Sequence, residues 1–179
     1  MNAKWPYVAV VLLLYGGVGW AASKAAEAPA AKSKFEFVEK ATLPCIVYAN
    51  ADDKDKRLWA PSGWMGDVDS MEFDQACSNN PHKGSTCIMV TFKDSKEWGG
   101  IVWQNPPENW GDNPGGVDLT GARELVVWAR GEKGGEKVSF KVGGLGRDKP
   151  YFDTAAVGRE NVHLSKDWKR YTLQLGGKN

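Results

Sequence analysis

The sequence predicts an all-β fold, an antiparallel β-sandwich of two sheets, and three observations carry that expectation. No segment after residue 35 shows a sustained helical stripe. Short runs of β-branched and aromatic residues recur between clusters of Gly, Pro, Asn and Asp. The best of these runs alternate apolar and polar residues with a period of two. The 179 residues accordingly divide into a leader at 1–21, a linker at 22–34 and one domain at 35–179, a length that suits a single core.

The leader comes first. Lys4 precedes an uncharged stretch over residues 5–20, with a dense apolar centre at 8–14 and small residues at Gly16, Gly17 and Gly19. Charged, apolar and small residues in that order make a secretory signal peptide. Cleavage after Ala21 would leave Gly19 and Ala21 where small side chains are wanted. The apolar run falls short of the roughly 20 residues that span a bilayer, so the expected destination is secreted or periplasmic. A membrane contact is expected only if the segment stays uncleaved. Residues 22–34, small and polar, read as a flexible tether.

Strands are expected at 45–49, 70–74, 86–92, 99–104, 124–129, 137–142, 161–164 and 170–175, with long Gly- and Pro-rich loops at 105–116 and 143–158. Alternation sets Val138, Phe140 and Val142 toward the core, with Leu125, Val127 and Ala129 as a matching row, and Ile101 and Trp103 on a third strand. Trp98, Gln104, Trp128, Arg130 and Lys141 then stand on the opposite face. If the three strands are neighbours, these five form one surface, which Trp110 and Asp153 can reach from the long loops. Aromatic platforms beside an amide and two cations suit a glycan, whose C–H faces stack on rings and whose hydroxyls need directional partners. The alternative is that a second layer covers this face, with Trp128 buried and Arg130 paired to Glu132 or Glu136.

Export would place the three cysteines in an oxidising compartment. Cys77 and Cys87 flank a turn-rich segment that brings them within bridging distance, and a disulfide between them is expected, leaving Cys45 as a small buried thiol.

The runs Ala-Pro-Ser-Gly-Trp-Met-Gly-Asp at 60–67, Trp-Gly-Gly-Ile-Val-Trp-Gln-Asn-Pro-Pro-Glu-Asn-Trp-Gly at 98–111 and Gly-Gly-Val-Asp-Leu-Thr-Gly at 115–121 share a further feature. With the runs at 125–136, 140–144, 151–153 and 164–171, they resemble a group of exported bacterial β-jelly-roll domains. These are similar to carbohydrate-binding modules and the wider galactose-binding-like superfamily, and the resemblance covers roughly residues 43–175. It implies a jelly roll and a polysaccharide or oligosaccharide ligand. It also implies one or two further strands after 171–175, the last ending in an acidic pair, so the expectation is a domain lacking its final strand or strands. In many jelly-roll modules that missing carboxylate helps hold a structural calcium. Asp67 and Asp69 form a short acidic pair that would suit such an ion, or would be solvated or bonded to backbone.

Other chemistries find little support. The formal charge is +1 overall, and the leader and linker carry a surplus of three positive charges, leaving the domain at −2 and without attraction for nucleic acid. Only His82 and His163 are present, and neither a zinc spacing, a nucleophile elbow nor a phosphate loop occurs. Nine tryptophans, seven of them beyond residue 34, favour a non-catalytic glycan-binding module. An envelope protein-interaction domain on the same fold is the alternative, and a small hydrolase or lyase with paired carboxylates is a more distant one.

Overall fold

The structure, a computed structural model, describes residues 10–15, 39–93 and 97–176. It is all-β, with two short 3₁₀ turns at Ala51–Lys56 and Val68–Ser70 and no α-helix among the described residues. The strands are β1 (Val10–Tyr15), β2 (Glu39–Lys40), β3 (Ala60–Gly66), β4 (Met71–Cys77), β5 (Cys87–Phe92) and β6 (Trp98–Gln104). They continue as β7 (Val117–Asp118), β8 (Glu124–Ala129), β9 (Lys137–Val142), β10 (Val157–His163) and β11 (Lys169–Gln174).

Five strands make one antiparallel sheet in the order β10-β9-β1-β6-β3. Three two-stranded ladders surround it: antiparallel β11-β8 and β4-β5, and a parallel pair β2-β7. The first two ladders face the large sheet across one core, giving a sandwich-like arrangement. Ile101 and Trp103 of β6 and Val138, Phe140 and Val142 of β9 are all at most 5% exposed, and against them lie Tyr171 and Leu173 of β11 with Leu125 and Val127 of β8. Phe73, Ile88 and Val90 close the core from β4 and β5. The rows assigned by alternation on β8 and β9 therefore meet across the core as expected.

One expected strand is absent, and β3 is present without having been expected. Residues 45–49 form no strand; the segment is held instead by side chains, with Tyr48 Oη donating to Gln75 O at 2.6 Å and the Ala51 N–H donating to Thr86 Oγ1 at 2.9 Å. β3 was not expected, because Pro61 and Gly63 interrupt its pattern. It is an edge strand with a register shift between those two residues, which is where a sheet tolerates proline. Gly66 ends it at φ 70°, and a Cβ there would lie 2.1 Å from Trp98 O, so only glycine fits.

Val10–Tyr15, the centre of the expected leader, is the middle strand of the five. The expected cleavage position at Ala21 and the tether at 22–34 lie outside the described residues.

Candidate functional site

β5 and β8 each form one edge of their ladders and are not hydrogen bonded to each other. A cavity of about 490 Å³ opens between them and runs inward to Trp103, Val138 and Phe140 of the large sheet. Its inner walls are apolar because they are the core rows of β5 and β8, including Ile88, Val90, Leu125 and Val127. Trp103 brings a buried indole N–H without a hydrogen-bond partner to this wall.

The mouth has a different character. Trp128 points away from the core on β8 and is 44% exposed. The His82 ring stacks on it with centroids 3.9 Å apart and planes 18° from parallel. Trp168, from the turn between β10 and β11, stands edge-on to His82 at 5.7 Å and carries the Arg130 guanidinium 5.6 Å from its ring centre. Its indole N–H donates to Asn80 O at 2.9 Å, which ties the β4–β5 loop to the β8–β11 ladder and so holds His82 over Trp128. Lys83, from the same loop, also borders the opening.

Only part of the expected surface assembles here. Trp128 and Arg130 belong to the β8–β11 ladder, whereas Trp98, Gln104 and Lys141 belong to the five-stranded sheet, so β8 is not their neighbour and the five do not share one face. Trp98 and Trp110 pack with Met65 around Val102, on the side of β6 away from the main core. Gln104, 4% exposed, is enclosed; its Oε1 accepts from Ser62 Oγ at 2.9 Å and its Nε2 donates to Asn109 O at 3.0 Å. Asn109 is itself buried and accepts the Gly111 N–H at 3.0 Å, so this group organises the 105–116 loop into a cover over β6.

Lys141 pairs with Glu160 at 2.9 Å. Asp153 lies in the 143–156 loop, which meets the 105–116 loop through the Tyr151 N–H to Gly111 O bond at 3.0 Å and the Lys149–Asp112 pair. Asp153 Oδ2 accepts the Leu145 N–H at 2.7 Å, Oδ1 is buried without a partner, and burial pushes the carboxyl up to about 6. None of these three regions lines the cleft.

Cys77 and Cys87 stand directly opposite in the β4–β5 register, yet the expected bond is not formed: all three cysteines are free thiols. Cys77 Sγ approaches Met89 Sδ at 3.9 Å, Cys87 Sγ donates to Cys77 O at 3.5 Å, and the two thiols also interact with each other. Burial raises the Cys87 thiol, and the adjacent Cys77 raises it further. Asp67 accepts from Ser70 Oγ at 2.8 Å, closing the 3₁₀ turn at Val68–Ser70. Among the described residues no group of three or more His, Cys, Asp or Glu side chains is placed to hold a metal ion.

Sequence reasoning passed over His82 and Trp168. His82 sits in a turn-rich loop without periodicity, and Trp168 sits in a turn between strands, so neither could be assigned a face. Comparison of the chain with family models, with curated proteins and with solved structures gives no match.

Proposed function

We propose that the chain is an exported, non-catalytic glycan-binding module of the jelly-roll kind, with its site at the mouth of the cleft between β5 and β8. The observation that carries this reading is the convergence of Trp128 and Arg130, at the end of β8, with Trp168, from the turn before β11, at the open end of the cavity. An indole ring offers a flat face to the C–H side of a sugar, and Arg130 and Lys83 bring donors for hydroxyls or for a uronic carboxylate. On this reading the leader carries the domain out of the cytoplasm, where such polymers occur.

The test is a titration of neutral and acidic oligosaccharides against wild type, Trp128→Ala, Trp168→Ala and Arg130→Ala, at about 0.1 M and 1 M salt. Loss of a stacking ring should weaken binding by about 1 kcal/mol, roughly five-fold, for both ligand classes. Arg130→Ala should weaken acidic glycans more than neutral ones. Only the acidic series should lose affinity as the screening length contracts from roughly 10 Å to 3 Å. Folded tryptophan variants that bind as wild type does would remove the mouth as the site.

A second reading, an envelope domain that docks a protein, draws on Val126. It stands 38% exposed on the outward face of β8, two residues from Trp128, and the pair makes a small apolar patch. Blank titrations across both glycan series, with the fold intact, would favour it.

A further inference from the structure

The place of β1 in the sheet has a meaning separate from glycan binding. β6 and β9 have no ladder with each other; each pairs with β1, over Trp98–Trp103 on one side and Val138–Val142 on the other. Without β1 the large sheet falls into two ladders, β10-β9 and β6-β3. Their facing edges would be about two strand spacings apart, close to 10 Å. That gap is too wide for backbone bonds and lies beside core side chains that are already packed. Two rows of N–H and C=O groups would then face it without partners.

The walls of this slot also define what fits it. Val10 stands opposite Trp103 and Val142, and Leu12 opposite Ile101 and Phe140, all core residues. On the other face Leu13 stands opposite Gly100 and Ser139, both buried, and Val11 opposite Val102, 2% exposed, and Lys141, whose ammonium is turned to Glu160. A strand with mostly buried neighbours on both of its faces calls for little polar alternation. Val-Val-Leu-Leu-Leu-Tyr has none.

We propose that the position between β6 and β9 is a strand-acceptor site, filled in the intact chain by Val10–Tyr15 and open to a separate apolar strand of the same kind when that segment is displaced. The segment can therefore be held in the slot either as part of the chain or as a separate strand. On the exported reading, which this step rests on, cleavage after Ala21 would cut its covalent tie to the domain, whereas retention keeps it tethered in the sheet. The chemistry recognised is an extended, uninterrupted apolar run of about six residues, antiparallel to both neighbours.

Hydrogen exchange by mass spectrometry on the intact chain, in detergent-free buffer, tests this. In wild type the amides of residues 10–15 should exchange as slowly as those of 99–103 and 138–142. Leu12→Pro removes a backbone donor at a position paired on both sides, and exchange of both flanking strands should accelerate about ten-fold or more. A synthetic peptide of residues 8–17 added to this variant should restore their protection, and the same peptide with proline at position 12 should not. Exchange of 10–15 at the free-chain rate in wild type would overturn the proposal, without reliance on any variant folding. So would flanking strands unmoved by Leu12→Pro, or a peptide that restores nothing.

Discussion

Gln104 shows how one side chain can look like a binding group and serve as a bracket. Its amide joins Ser62 on β3 to the Asn109 carbonyl in the 105–116 loop, so Gln104→Ala would leave buried partners unpaired. A loss of about 2 kcal/mol or more in urea unfolding is expected, while any glycan binding measured for wild type should be unchanged in the folded fraction. Asp153 adds a pH dependence. Burial raises its carboxyl from 3.8 to about 6, so between those values the folded protein holds a proton that the unfolded chain has released. Its contribution is then fully present below about pH 4 and is lost as pH rises through about 6, a span of ~3 kcal/mol. Asp153→Asn keeps the acceptor for Leu145 and cannot ionise. The stability of wild type relative to this variant should therefore fall from about pH 4 to pH 7, and equal slopes would show that the carboxyl is not desolvated. Alternation correctly put Gln104 on the side of β6 away from Ile101. It could not show the loop that covers that side, because those contacts join residues far apart in sequence.

At the level of elements, β8, β9 and their core rows were legible because a period of two survives in Glu-Leu-Val-Val-Trp-Ala and Lys-Val-Ser-Phe-Lys-Val. Which sheet each strand joins was not legible, since alternation fixes faces and not neighbours. Alternation alone therefore groups Trp128 and Arg130 with Trp98 and Lys141, from which the topology separates them. β3 was hidden by Pro61 and Gly63, and 45–49 mimicked a strand through its apolar content alone. The β4–β5 pair carries a test of its own. Its register sets Cys77 opposite Cys87, so a mild oxidant should join these two and leave Cys45 open to alkylation. Intact mass should fall by two hydrogens, and closure of so short a loop should add about 2 to 3 kcal/mol to stability. Three alkylated thiols after oxidation would show that the strand geometry forbids the bond.

Over the whole molecule, the five-stranded sheet and the two facing ladders share one core, and Phe140 lies near its centre. It is 4% exposed, its ring is 5.6 Å from Tyr171 of β11, and it also forms part of the cavity wall. Phe140→Ala should cost roughly 3 to 5 kcal/mol in denaturant unfolding, and a loss below about 1 kcal/mol would mean that the core lies elsewhere. The all-β class was readable because turn residues punctuate the whole domain, whereas the cleft was not, because it arises from two ladder edges that fail to join. The position of β1 also sets an order in time. Val10 pairs with Trp103 and Val142, so β1 has no partner in this sheet until β6 or β9 has been synthesised. Contacts of such sequence separation form slowly, and an apolar strand that must wait for them is exposed to chaperones throughout. Translation speed, rather than stability alone, would then decide how many newly made chains fold with β1 in place.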